Sequence, residues 1–131
     1  MQFHILSFEG PDPYARAGGI ASRVTGMAVA LAEQGFDTHL WFVGDPERPA
    51  IEVKENLTLP RWCQWISRHH QLGVYAGEDG KERDFARSLP PHLLEEYIAP
   101  ALASGEPVAV LAEEWHTAHA VLHLDWLLRR Q

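Results

Sequence analysis

The segment from Phe3 to Val43 constrains this chain more than any other. Phe3, Ile5, Leu6 and Phe8 form a short apolar run closed by Glu9, Gly10 and Pro11, which reads as a buried first strand. A loop from Glu9 to Gly19 follows, holding two prolines and three glycines, among them the adjacent pair Gly18 and Gly19. Ile20, Val24, Met27, Ala28 and Leu31 then recur at helical spacing, and Gly35 stands where a helix C-terminal cap belongs. Thr38 to Val43 resumes strand character and stops at Gly44, Asp45 and Pro46. Two apolar strands joined by an amphipathic crossover helix build a parallel pair, so the fold class is α/β.

The rest extends the pattern with a gap. From Glu47 to Leu89 the periodicity is weak: Ile51 to Leu59 allows one or two extended pieces, and Arg61 to His70 a brief helix. Pro90 and Pro91 precede a helix expected over His92 to Ala103, with Pro91 near its first turn, Pro100 ending or kinking it, and Gly105 breaking it. Val108 to Ala112 is a continuous apolar run of the buried parallel type, and Glu113 to Thr117 leads into a last helix through Val121, Leu122, Leu124 and Leu128.

Size and charge then narrow the function classes. The 131 residues fit one domain with a real core. Their net charge of −7 and scattered arginines leave no footprint for a nucleic-acid backbone, so no nucleic acid is expected as a partner. Cys63 is the only cysteine, which rules out an intramolecular disulfide or a thiolate cage and suits a reducing compartment. No basic leader opens the chain and no stretch approaches the ~20 apolar residues of a membrane span, so a cytoplasmic protein without a transmembrane segment is expected.

Several constellations could carry chemistry. Tyr14-Ala15-Arg16-Ala17-Gly18-Gly19-Ile20 brings two residues without side-chain bulk to a helix start, where free amides and the positive helix end favour an anion such as a phosphate or sugar phosphate, with Arg16 as an added donor. Taken alone, a glycine pair more often serves only a tight turn into the helix. The dinucleotide fingerprint fails, because some ten residues separate the first strand from Gly18-Gly19 and only Gly26 follows.

Glu113-Glu114-Trp115-His116-Thr117 lies where an apolar strand ends and a helix begins, the edge at which ligands collect in open α/β sheets. There His116 could donate to a hydroxyl or phosphate oxygen, Thr117 could cap the helix, and Glu113 or Glu114 could orient sugar hydroxyls. His116, His119 and His123 share one helical arc, but the remaining ligands of a zinc site are missing, so no metal is expected. Trp62, Trp65, His69, His70 and Tyr75 concentrate rings in the weakly periodic middle, where the tryptophan spacing suits core or interface anchors better than a carbohydrate platform.

Taken together, Arg16-Ala17-Gly18-Gly19-Ile20, the helix running into Ala30 to Gly35, and Glu114-Trp115-His116-Thr117-Ala118 resemble the K-x-G-G-L loop, the A-L-A-E-x-G stretch and the D-W-H-T-A segment of GT-B glycosyltransferases in the family 4 and glycogen or starch synthase group. Trp62 to Arg68 and Gly73-Val74-Tyr75 also resemble a subgroup of family 4, so the likeness covers essentially the whole chain. It implies a partial Rossmann-like parallel sheet flanked by helices, and retaining transfer of a sugar from a nucleotide-sugar donor to an acceptor hydroxyl with no cofactor and usually no metal. By resemblance His116 would contact the transferring sugar, as the catalytic residue. Gly18 and Gly19 would approach the donor diphosphate or the acceptor, with Arg16, Glu114 and Thr117 as further substrate-binding residues. Arg16 stands where the family has lysine.

The family's carboxyl-terminal lobe, with the nucleotide site and the E-x7-E motif, has no counterpart in this sequence. Residues 1–131 are therefore expected to form a single partial, acceptor-side domain, inactive alone because half a cleft cannot surround a leaving diphosphate. A separate carboxyl-terminal lobe or a homo-oligomer would be its partner. The alternative is a noncatalytic α/β interaction module that oligomerises through an exposed sheet edge.

Overall fold

The computed structural model describes residues 1–131. Five strands form one sheet in the order β3-β4-β2-β1-β5: β1 (Gln2–Leu6), β2 (Asp37–Val43), β3 (Ile51–Lys54), β4 (Leu57–Trp62) and β5 (Val108–Ala112). All neighbours are parallel except β3, which folds back on β4 through the tight Glu55-Asn56 turn. The extended stretch after Pro49 is thus a hairpin, and the helix expected over Arg61 to His70 shrinks to the single turn α2 (Gln64–Ser67), because Arg61 and Trp62 belong to β4.

The period-two alternation of the central strands sorts side chains onto two layers. Ile5, Leu40 and Phe42 face α1 (Gly19–Glu33), which presents Ala21, Val24 and Ala28 as its buried stripe. Leu6, Trp41 and Val43 face the opposite layer, together with Phe8, which is fully buried beyond the end of β1. That layer consists of α3 (Glu78–Leu93), α4 (Ala99–Ala103) and α5 (Ala118–Leu128).

The helix expected to begin near Pro91 instead begins at Glu78, and both prolines lie inside its last turns. Proline at position 90 removes the amide that would bond the Ala86 carbonyl, and His123 Nδ1 donates to that carbonyl at 2.7 Å instead. The chain then widens into a π turn over Leu94–Ile98 and continues as α4, so Pro100 sits in a first turn that tolerates it.

Parallel strands place their carboxyl ends on one edge, so the loops after β1, β2, β4 and β5 share a rim. Asp12, 1% exposed, ties two of these together: its carboxylate accepts from Arg61 Nε at 2.7 Å and Nη2 at 2.9 Å, and from the Asp45 amide at 2.9 Å.

Candidate functional site

The rim is organised around a buried carboxylate. Glu9, 3% exposed, turns back onto the start of α1, where its Oε1 accepts from the amides of Gly18 at 3.1 Å, Ala21 at 3.2 Å and Ala17 at 3.3 Å. Amides that the sequence offered to an external anion are therefore met by the chain's own acid, which also complements the positive end of the helix. The other oxygen, Oε2, accepts from Tyr75 Oη at 2.6 Å. Burial, the bond to Glu9 and the nearby Glu114 and Glu78 carboxylates push the Tyr75 phenol up, so it remains a donor at neutral pH.

Gly18 and Gly19 are exposed, and a Cβ at either would meet open space. Gly18 has extended backbone, with φ −170° and ψ −160°, and neither glycine has a positive φ. Packing and dihedral strain therefore give no reason for glycine at these positions. The effect is a stretch of rim with bare backbone. Arg16, also exposed, donates Nε to the Pro11 carbonyl at 3.1 Å and lines a cavity of about 250 Å³ with Tyr75.

The second segment leaves β5 under strain. Glu114 adopts φ 57° and ψ 173°, a region that L side chains rarely occupy and that costs on the order of 1–3 kcal/mol. This bend turns the chain into a 3₁₀ turn over Trp115–Thr117 and seats the His116 ring between Glu114 at Nδ1 and Glu78 Oε2, 3.0 Å from Nε2. Trp115, Phe8 and Tyr75 pack against the ring, with centroids at 3.8, 4.7 and 5.0 Å. His116 is 5% exposed, so a ligand reaches it only where Glu78 or Glu114 yields; the Glu78 side chain, 37% exposed, is the freer of the two. Thr117 is buried, and its hydroxyl faces the carbonyls of Glu113 and Glu114, both at 3.0 Å, so it braces the bend and does not cap the helix by its side chain.

The two segments converge. Glu9 touches Gly18 on one side and Tyr75 on the other, and Tyr75 lies against His116. Arg23 of α1 adds a direct link, reaching Glu113 at 2.5 Å. The histidine arc of the last helix forms a seam: His116, His119 and His123 engage Glu78, Glu82 and the Ala86 carbonyl, one turn of α3 after another. No three His, Cys, Asp or Glu side chains gather in an arrangement suited to a metal ion.

Tyr75 and Glu78 reach the rim because a buried lysine holds the segment before them. Lys81, with no exposed surface, donates Nζ to Tyr14 Oη at 2.8 Å and to the carbonyls of Val74 at 3.0 Å and Gly73 at 3.1 Å, while Tyr14 donates to the His70 carbonyl at 2.7 Å. Cys63 is buried nearby; burial and Asp84 push its thiol up, which removes it as a nucleophile. Glu9, Glu78 and Lys81 carried no pattern in the sequence, and Tyr75 was visible only as one ring in an aromatic-rich stretch.

No protein-family model matches the sequence, and neither does any curated protein. Among solved structures, the chain is similar to sucrose-phosphate synthase from Thermosynechococcus elongatus, with a TM-score of 0.55 and 23% identity over 99% of this chain and 30% of that one. The likeness shows an α/β fold of a mostly parallel sheet flanked by helices, in a chain that spans about 30% of its neighbour's length. No helix is long and apolar enough to cross a membrane.

Proposed function

We propose that this chain is the acceptor-side part of a retaining GT-B glycosyltransferase of the family 4 and glycogen synthase type. In this reading residues 1–131 form one partial domain, working in the cytoplasm, that presents an acceptor hydroxyl to a nucleotide sugar held by a second lobe. The observation that carries it is the bare Gly18-Gly19 backbone and the His116 turn meeting on one rim through Glu9 and Tyr75. Backbone amides and carbonyls without side-chain cover approach a sugar closely. Glu114 accepts from its hydroxyls while holding His116 Nδ1, and once Glu78 turns from Nε2 to a sugar hydroxyl, His116 Nε2 is free to donate to the transferring sugar. Arg16 supplies a cation at the loop's outer side, and Thr117 acts through the bend it braces. Stabilising a leaving diphosphate needs donors on all sides of it, so transfer requires the second lobe, in this polypeptide or another.

The test is a titration of the isotopically labelled chain with UDP-glucose, ADP-glucose and GDP-mannose. Weak binding that shifts the Gly18 and Gly19 amides and the His116 ring together supports the reading. Shifts elsewhere alone, or rapid transfer by the chain without a second lobe, overturn it.

One observation favours the noncatalytic module. β5 pairs only with β1 and leaves an open edge on which Leu111 is exposed, and Val121 and Leu122 of α5 are exposed as well. Sedimentation separates the two readings: a tight homodimer that protects the Gly18-Gly19 loop fits the module, and a monomer fits the glycosyltransferase part.

A further inference from the structure

A cavity of about 460 Å³ lies between α2 and α3, walled by Trp65, His69 and His70 on one side and by Gly80, Arg83 and Arg87 on the other. Arg83 and Arg87, one helical turn apart, have no carboxylate in ion-pair reach, although Asp79 and Glu82 join the same two arginines around a neighbouring cavity on the other side of α3. Like charges at that spacing repel. Asp84 also borders the cavity, but its oxygens turn to the Cys63 thiol at 3.3 Å and the Ser88 hydroxyl at 3.4 Å.

The aromatic wall is equally unsatisfied. Trp62 packs on Trp41 and His92 and donates to Ser88, and Trp126 is covered by the Arg130 guanidinium, 3.9 Å from its centroid. Trp65 is 64% exposed, and no ring or cation covers it. The wall is also fixed in place. His70 packs so tightly on Gly77, whose φ is 69°, that a Cβ there would collide with the imidazole ring.

Two guanidiniums without an ion pair fit a phosphate dianion, which each can bind through paired N–H groups, and an uncovered indole fits the face of a ring. We propose that this cavity binds a phosphate monoester, with the phosphate on Arg83 and Arg87 and the ring of the ester on Trp65. A second cavity of about 420 Å³ shares Ile66, His70 and Gly80 with the first and reaches Tyr75 and Glu78, so the hydroxyl end of such an ester points toward the His116 rim. That the ester is the sugar acceptor rests on the glycosyltransferase reading; the phosphate site does not.

The experiment titrates the labelled full chain with glucose 6-phosphate, AMP, inorganic phosphate and glucose, following the Trp65 indole and the Arg83 and Arg87 Nε resonances. An ester is expected to shift all three and to bind about tenfold more tightly than inorganic phosphate, with glucose inert. Preference for glucose 6-phosphate identifies a sugar ester, and preference for AMP a nucleotide. Arg83→Gln with Arg87→Gln, both at exposed positions, should weaken the ester about tenfold or more, and Trp65→Ala should reduce it to the affinity of inorganic phosphate. Equal affinity in the arginine double variant, or no ester-dependent shift at Trp65, overturns the proposal. Ester binding without any nucleotide-sugar response at Gly18 and His116 keeps the phosphate site and removes its acceptor role. The reverse pattern removes the phosphate site alone.

Discussion

Replacing Glu9 with glutamine tests the joint that brings the two rim segments together. Glutamine keeps the volume and one oxygen for the α1 amides, but it sets an NH2 group where Tyr75 donates and removes the charge from the helix start. A hydrogen bond to a charged group contributes ~1.5–3 kcal/mol, and a carboxylate at a partly buried helix N-terminus ~0.3–2 kcal/mol. Glutamine also escapes the desolvation cost of a carboxylate that is 3% exposed, which holds the net loss to about 2 kcal/mol. Unfolding 131 residues at ~2.1 cal/mol/K each gives about 0.28 kcal/mol/K, so Tm should fall by about 7 °C in a thermal melt followed by circular dichroism. Tyr75→Phe removes the same bond from the other side. The double variant should therefore lose ~1–2 kcal/mol less than the two single losses added together. Strict additivity, or an unchanged Tm for Glu9→Gln, would refute the coupling.

His4, buried on β1 and held by Trp41 and Gln2, gives a pH prediction. Burial first, and then His39, lower its pKa from 6.5 to about 3, so the unfolded chain binds a proton that the folded chain refuses. Its contribution to stability is complete above pH 6.5 and is lost as pH falls toward 3, at up to ~1.4 kcal/mol per pH unit. Urea midpoints between pH 6.5 and 4.5 should fall less steeply in His4→Gln, and an equal slope would refute the assignment. At Glu114, glycine accepts φ 57° without strain and alanine does not, so Glu114→Gly should be more stable than Glu114→Ala by about 1–3 kcal/mol. Equal denaturant midpoints for that pair would show that the bend stores no strain.

Strands β1, β2 and β5 were legible because they carry apolar runs, and α1 because it carries a regular stripe, whereas β3 and β4, with Pro60 and Arg61 in the latter, showed no clear period. α3 was not legible either, and the reason is Lys81. Its buried stripe is Lys81, Phe85, Leu89 and Leu93 at successive turns, but a lysine in the first position and prolines near the end conceal the period. The lysine is tolerated because Tyr14 and two loop carbonyls surround its ammonium group, and Pro90 because His123 takes the carbonyl it strands. Both compensations come from residues distant in the chain, beyond the reach of a local pattern. The same holds at the rim. Gly18, Gly19 and His116 were legible from short motifs, whereas Glu9 stood only as the residue closing the first strand and Glu78 belonged to no motif.

The distribution of charge along the rim bears on what it receives. Glu9 already lies 3.1 Å from the Gly18 amide, and Glu78 and Glu114 flank His116. A phosphate oxygen sharing those amides would stand about 5 Å from the Glu9 carboxylate, a repulsion of roughly 3 kcal/mol at an effective dielectric constant near 20. A hydroxyl there meets no such penalty and gains acceptors. The Gly18 end therefore favours the neutral, hydroxylated portion of a substrate over a diphosphate, and Arg83 and Arg87 offer the anion a place in the cavity that adjoins the one reaching Tyr75 and Glu78. On this arrangement Arg16→Gln should change the binding of a phosphate ester little, because Arg16 faces the Pro11 side of the loop, whereas Arg87→Gln should weaken it. The opposite order in parallel titrations would move the anion back to the glycine loop.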